Sequence, residues 1–157
     1  MQTERTFRAE KLVLNGVATV MLYGAIDEDI DLTPLEKEDP LILNFRNIDY
    51  INSCGIRLWV SFMTSMAEKR ISYQECPPVI VRQMNIVPSF KLHAHVQSVY
   101  TPYICTACEA TQLVLLSESV FSKPNLVLKR STPCSSCKKG KLEFDAEPDQ
   151  YFAFSKG

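Results

Sequence analysis

The chain has 157 residues, of which 46% are hydrophobic and 22% are charged, with 17 lysines and arginines against 18 aspartates and glutamates. This balance is typical of a globular protein and excludes both a fibrous chain and a globally basic nucleic-acid binder. No apolar run approaches the roughly 20 residues that cross a bilayer, and the first residues contain no apolar signal core. We therefore expect a cytoplasmic location.

The composition changes near residue 98, and this change predicts two parts. Residues 1–98 carry 10 basic and 12 acidic side chains, whereas residues 99–157 carry 7 and 6. The second part also contains two Cys-x-x-Cys pairs, and no long low-complexity linker separates it from the first. We predict one domain over residues 1–98 and a small module over residues 99–157, packed close together.

The first predicted elements are two strands, Phe7 to Leu14 and Val17 to Tyr23. They flank the dipeptide Asn15-Gly16, which favours a tight type I′ hairpin because both central residues of that turn have positive φ. Thr33 is predicted to cap a short helix that must end before Pro40.

A buried strand and a long helix are predicted next. Leu41 to Phe45 is a compact apolar run, as expected of a strand covered on both faces. Residues 56–70 repeat apolar side chains at spacings of three and four, with Leu58 widening the apolar face of the predicted helix. Ile71 to Glu75 then predicts another strand, and Val79 to Val81 is ambiguous between helix and strand. This order predicts an α/β fold built on one central sheet.

The segment Asn52-Ser53-Cys54-Gly55 joins the buried strand to the long helix. Asn52 or Ser53 could cap the helix, and Gly55 could permit a close backbone approach. Two interpretations stay open, a simple capped helix start and a regulatory serine. A phosphate on Ser53 would lie at a helix N-terminus, where the peptide dipoles and free N–H groups favour negative charge. Cys54 and Cys76 are predicted to be small buried residues.

Residues 7–98 resemble a STAS domain, the family named for sulfate transporters and anti-sigma factor antagonists. The features that match are the end of the hairpin at residues 24–27, the strand at 41–45, and residues 47–55 before the long helix. The family usually ends with another helix packed on the sheet. Here Phe90 to Val99 runs towards the cysteines, so we expect the appended module to replace or cover that helix.

In the STAS family an Asp-Ser-x-Gly loop begins the long helix, and a partner kinase phosphorylates its serine. Ser53 and Gly55 match this pattern, whereas Asn52 stands in place of the usual aspartate. The resemblance implies that Asn52, Ser53, Cys54 and Gly55 form a partner-binding loop with Ser53 as the phosphorylation site. The implied partner is a protein such as an anti-sigma factor or a serine kinase.

The cysteine pairs predict a metal site. Each Cys-x-x-Cys turn brings two thiolates together, and two such turns supply four soft ligands in the tetrahedral arrangement that zinc prefers. We predict one structural zinc ion on Cys105, Cys108, Cys134 and Cys137. Strands at Gln112 to Leu116 and Leu126 to Leu128, joined by a turn at 122–125, would complete a module that resembles a zinc ribbon. Disulfides and a redox dithiol are the alternatives, and the expected cytoplasmic location disfavours disulfides.

Basic side chains surround the second cysteine pair, at positions Lys129, Arg130, Lys138, Lys139 and Lys141. They could offset the negative charge of four thiolates around one ion, or they could contact nucleic acid. His93 and His95 would lie on the same side of a strand, where two histidines without a third ligand do not predict a second metal site.

No phosphate-binding glycine loop, metalloprotease motif, nucleophile elbow or paired acid occurs, so we predict that the chain is not an enzyme. The resemblance favours a cytoplasmic protein-binding regulator similar to an anti-sigma factor antagonist, switched by phosphorylation at Ser53. Two alternatives stay open: an adaptor that binds nucleic acid through the ribbon, and a STAS-like scaffold used for homo-oligomeric assembly.

Overall fold

A five-stranded sheet forms the larger layer of the structure, a computed structural model that describes residues 6–123, 128 and 133–156. The first two strands are antiparallel and the later neighbours are parallel. In spatial order the strands are β1 (Arg8–Leu14), β2 (Val17–Ile26), β3 (Leu41–Ile51), β4 (Ile71–Gln74) and β5 (His95–Val96). The helices between the parallel strands are α1 (Ser53–Ser65), α2 (Pro78–Ile86) and α3 (Pro88–Lys91).

A smaller antiparallel sheet follows, in which the middle strand is the first in sequence. Its strands are β6 (Ser98–Cys105), β7 (Thr111–Ser117) and β8 (Leu142–Phe144), and the short helices beside it are α4 (Glu118–Phe121), α5 (Pro148–Tyr151) and a 3₁₀ turn (Ala153–Lys156). The predicted α/β class is confirmed. The main buried core continues from the larger sheet to Phe121, Phe152 and Phe154, so the division at residue 98 stays a prediction.

The first hairpin forms as predicted, with φ values of 53° at Asn15 and 78° at Gly16. The prediction for Thr33 was wrong. Leu32 occupies the cap position of a 3₁₀ turn that contains Thr33, and Thr33 donates its backbone N–H to Asp31 Oδ1 at 3.1 Å. The aspartate two residues earlier therefore satisfies the amide, and the Thr33 hydroxyl does not cap.

The strand predicted at Leu41 to Phe45 continues to Ile51, which lies opposite Ile26 at the end of β2. α1 begins at Ser53 and ends at Ser65, so the prediction of residues 56–70 was displaced at both ends. The chain then turns towards β4, and Arg70, the residue before that strand, donates its N–H to Asp39 Oδ1 at 3.0 Å. Leu58 is 40% exposed, contrary to the predicted wide apolar face.

The ambiguous segment 79–81 belongs to α2. β4 ends at Gln74, one residue before the prediction, and Glu75 has a φ of 51°. His93 was wrongly placed in a strand: its Nε2 lies 2.7 Å from the carbonyl oxygen of Lys69. His95 does lie in β5, and its Nε2 is 2.6 Å from Glu118 Oε2.

Four buried aromatic side chains hold α1 to the sheet: Phe45, Trp59, Tyr73 and Phe90. The rings of Trp59 and Phe90 stack at 5.4 Å between centroids. The Tyr73 hydroxyl accepts a hydrogen bond from Trp59 Nε1 at 2.9 Å and donates one to the Phe90 carbonyl at 2.6 Å. Burial raises the pKa of Tyr73 far above its usual value, so the hydroxyl stays protonated and keeps both bonds.

The C-terminal residues pack against α2, and no helix lies between β5 and Cys105. Asn85 of α2 donates to the Tyr151 carbonyl at 2.9 Å and accepts from the Phe154 N–H at 2.8 Å. Tyr151 in turn donates its hydroxyl to the Tyr100 carbonyl of β6. The expectation that the module replaces or covers a last STAS helix stays a prediction. Within the described residues, none of the helices is long and apolar enough to cross a membrane.

Candidate functional site

The two Cys-x-x-Cys turns face each other at one end of the smaller sheet. Cys105 is the last residue of β6. Cys134 follows Pro133, which forms a backbone bridge with Lys141, the residue before β8. The Sγ atoms of the four cysteines all lie within 4.8 Å of one another. The structure therefore brings together the four residues that the spacing predicted.

The sulfur distances fit one metal ion better than disulfides. Cys105 Sγ lies 3.6 Å from Cys137 Sγ, and Cys108 Sγ lies 3.7 Å from Cys134 Sγ. A disulfide needs about 2.0 Å. A tetrahedral ion with metal–sulfur bonds of about 2.3 Å places its sulfurs about 3.8 Å apart. The four thiols are thus compatible with a single tetrahedral metal site.

Both cysteine turns have the same backbone conformation. The residue after the second cysteine is left-handed in each turn, with φ of 62° at Glu109 and 61° at Lys138. Its N–H donates to the carbonyl of the first cysteine, at 3.1 Å from Glu109 to Cys105 and at 2.8 Å from Lys138 to Cys134. This conformation turns the following backbone amides back towards the sulfurs.

Backbone amides donate to all four sulfurs, and such donors favour the thiolate. Cys105 Sγ accepts from the Ala107 N–H at 3.3 Å, and Cys134 Sγ accepts from the Ser136 N–H at 3.4 Å. The N–H groups of Gly140 and Lys139 lower the pKa of Cys137 to about 6. The predicted charge compensation therefore includes main-chain dipoles.

The thiols differ in how readily they ionise. The N–H groups of Cys137 and then Ser136 lower the pKa of Cys134. For Cys108 the N–H of Ala110 acts in the same direction, but burial and the three neighbouring thiols outweigh it and raise the pKa of Cys108 to about 12. A divalent ion bound to Cys108 would displace this proton, because the metal ligand is the thiolate.

Gly140 is a site residue that the sequence analysis missed. A Cβ atom on Gly140 would lie 2.2 Å from Cys105 Sγ and 2.8 Å from the Cβ of Ala107. Only a hydrogen atom fits there, because the second turn passes directly over the first. The signal was the glycine three residues after Cys137.

The sheet around the cysteines contains the first strand of the predicted hairpin, whereas most of the second predicted strand, Leu126 to Leu128, lies outside the described residues. β7 extends the predicted strand to Thr111–Ser117, and Ser122 follows the last residue of α4. The structure does not describe residues 124–127, nor Lys129 and Arg130 of the basic cluster. The side chains of Lys138, Lys139 and Lys141 are exposed. Strand β8, which follows the second pair, was not predicted.

The loop before α1 forms a second candidate site. Asn52 is the helix cap, and its Oδ1 accepts the Gly55 N–H at 2.9 Å. Its Nδ2 donates to Glu28 Oε2 at 2.9 Å, and this hydrogen bond lowers the pKa of Glu28. An aspartate at position 52 could accept the first bond but could not donate the second. The amide therefore ties the helix start to the segment after β2.

Ser53 is the first residue of α1, and its side chain is exposed. Cys54 is exposed as well, so the prediction that it is buried was wrong. Cys76 is buried as predicted, and burial raises the pKa of its thiol. Gly55 makes the predicted close approach, since a Cβ there would lie 2.0 Å from the Ile26 carbonyl oxygen.

Comparison of the chain with models of known protein families gave no match. A search among curated proteins gave no match either. The STAS resemblance and the functions that it implies therefore stay predictions.

Proposed function

We propose that the four cysteines hold one zinc ion, which stabilises the smaller sheet. The support is the donor set itself: four thiols within 4.8 Å of one another, each with a backbone N–H donor on sulfur. Soft thiolates in a tetrahedral set favour zinc, and a site with four protein ligands has no open position for a reacting water. The ion would be structural.

Metal analysis of the purified chain tests this proposal. We expect about one zinc per chain, as for a closed four-thiolate site. Cys108→Ser should lose the metal, whereas Cys54→Ser should retain it because Cys54 lies outside the cluster. A chain without zinc after purification under reducing conditions and zinc supplementation would contradict the proposal.

We propose that the larger sheet and α1 form a regulatory protein-binding module that resembles an anti-sigma factor antagonist, with Ser53 as its phosphorylation site. The observation that carries this proposal is the exposure of Ser53 at the first position of α1, in a loop held by Asn52 and Gly55. A rigid loop with an accessible hydroxyl suits recognition by a kinase, and docking requires little reordering of the backbone.

Exposed apolar groups next to this loop support docking of a protein. Leu58 lies on the open side of α1, one turn after the loop, and Tyr50 is exposed just before it. Leu58 and Phe62 also line a groove of about 240 Å³ between α1 and the 3₁₀ turn at Thr33–Leu35. A partner that covers the loop could also bury these side chains.

Phosphorylation would change the charge of this surface. A phosphate adds about −1.5 to −2 charges. Glu28 already contributes a carboxylate beside Asn52, and its hydrogen bond keeps that carboxylate ionised. A partner that docks on the unmodified loop would have to desolvate both charges, so phosphorylation should release it.

Binding measurements on three variants test the switch. A partner is first captured from the native cell, and Ser53 is examined for phosphate by mass spectrometry. In a calorimetric titration Ser53→Ala should bind that partner as the unmodified chain does, and Ser53→Asp should bind at least about tenfold more weakly. Ser119→Asp, at an exposed serine in α4, is the matched control. Equal binding by Ser53→Asp and Ser53→Ala would contradict the proposal.

A further inference from the structure

Strand β1 is an unusual edge of the larger sheet. It pairs with β2 on one side, and among the residues that the structure describes no strand pairs with its outer side. All seven residues of β1 are exposed. Three consecutive apolar residues at its end are 59%, 52% and 61% exposed: Leu12, Val13 and Leu14.

Natural proteins protect such edges with charged residues, prolines or bulges, because an unpaired strand is a template for another strand. The first half of β1 is protected in this way. Arg8 pairs with Glu10 at 3.3 Å, and Lys11 pairs with Glu38 at 2.7 Å. Residues 12–14 have no such charge, and their apolar side chains lie on both faces of the strand.

We propose that this edge pairs with β1 of a second copy of the chain, in antiparallel orientation about a two-fold axis. The result would be one continuous sheet across two copies. This proposal is independent of the function proposed for Ser53 and of the metal site. Its support is the register that the charges of β1 allow.

A two-fold axis perpendicular to the sheet places one residue opposite itself and pairs the others symmetrically around it. An axis at Glu10 or Lys11 would put identical charges directly opposite each other, which destabilises a strand pair. An axis at Ala9 would leave the end of the strand unpaired, and an axis at Val13 would pair only three strand residues. An axis at Leu12 pairs residues 10–14 and covers all three apolar side chains.

The hydrogen-bonding pattern of β1 suits this register. In a hairpin with a two-residue turn, the residues that close the turn, here Leu14 and Val17, form a backbone hydrogen-bonded pair. Hydrogen-bonded and non-hydrogen-bonded pairs then alternate along the two strands. Lys11 and Val13 therefore direct their backbone groups outwards, where they would bond to Val13 and Lys11 of the second copy. Leu12 would face Leu12 of the second copy at a position without hydrogen bonds, where opposing side chains are closest.

The expected dimer is weak. Pairing of five residues buries less surface than the roughly 1,200 Å² of a standard stable interface. We therefore expect a dissociation constant of about 10 to 100 μM. Sedimentation equilibrium over this range of concentration should show reversible dimers.

The register makes position 12 its own partner, and this property gives a sharp test. Leu12→Lys and Leu12→Glu should each dimerise at least about tenfold more weakly, because each places like charges opposite each other. A mixture of the two variants should restore the dimer, since lysine would then face glutamate. Leu113→Lys is the matched control, because Leu113 is 51% exposed on edge strand β7 of the other sheet.

The proposal is supported if the original chain and Leu113→Lys both form dimers, if both position-12 variants lose the dimer, and if mixing those two variants restores it. A chain that stays monomeric up to about 1 mM would overturn it. So would a dimer that Leu12→Lys leaves intact, or one that mixing does not restore, because the contact would then lie elsewhere or in another register. Circular dichroism checks that each variant is folded.

Discussion

Replacement of Gly55 by alanine should change the stability of the protein through two effects of opposite sign, a gain in helix propensity and a steric clash. Gly55 lies in the first turn of α1, where helix propensity alone predicts that alanine stabilises the protein by about 0.5 to 1 kcal/mol. The new Cβ, however, would lie 2.0 Å from the Ile26 carbonyl oxygen and 2.7 Å from the Asp27 nitrogen. These atoms are backbone and cannot rotate away, so α1 and the end of β2 would have to separate.

The cost can be worked from the contacts. The Ile26 carbonyl accepts the Asn52 N–H at 3.1 Å, and a displacement of more than 1 Å would weaken that bond. Overpacking costs about 1 to 3 kcal/mol, and the lost hydrogen bond costs about 1 kcal/mol more. After the gain in propensity is subtracted, we expect a net destabilisation of about 1 to 3.5 kcal/mol, or about 2 to 14 °C in Tm for a chain of this size.

Urea denaturation followed by tryptophan fluorescence measures this change, since Trp59 is the single tryptophan and is buried in α1. Ser61→Ala, on an exposed position of the same helix, isolates the propensity effect and should stabilise the protein by a few tenths of a kcal/mol. A Gly55→Ala protein that is as stable as the original chain, or more stable, would refute the steric reasoning.

Three other predictions concern the metal site and the core. Gly140→Ala should weaken zinc affinity about 10 to 100-fold, because the new Cβ would lie 2.2 Å from the sulfur of the ligand Cys105. Competition with a chromophoric chelator measures this affinity. Ser136→Ala keeps its backbone N–H and should bind zinc as the original chain does. Zinc binding at pH 7 should release protons, because the raised pKa of Cys108 keeps that thiol protonated without the metal. Calorimetry in buffers of different ionisation enthalpy measures the number of protons released. Binding of zinc without proton release would contradict this prediction. Tyr73→Phe should cost about 2 to 3 kcal/mol in urea denaturation, because it leaves the Trp59 N–H and the Phe90 carbonyl buried without their partner; a loss below about 0.5 kcal/mol would be too small for two such groups.

Asn52 makes both a local and a long-range hydrogen bond at the proposed regulatory loop. Its carbonyl oxygen caps α1, and its amide nitrogen holds Glu28. The departure from the aspartate of the STAS pattern is therefore compatible with an ordered loop. The capping role follows from any Asn or Asp at this position, whereas the bridge to Glu28 needs an amide.

Local patterns in the sequence determined much of this protein. The Asn15-Gly16 turn follows from the backbone freedom of two adjacent residues, and the Cys-x-x-Cys spacing already brings the two sulfurs of each pair together. Asn52 as a cap was also readable, because its hydrogen bond to the Gly55 N–H is local. The missing Cβ of Gly55 indicated that a close approach is possible there, but only the fold shows that the approach is to Ile26 of β2.

Only the tertiary structure decided which distant segments meet. The convergence of Cys105 with Cys137, and the need for a glycine at position 140, depend on how two separate turns pack face to face. The exposure of Leu58 and of residues 12–14 likewise depends on which surfaces other elements cover, and hydrophobicity at the correct spacing does not reveal this. Spacing along the chain reports local geometry, whereas burial is a property of the whole fold.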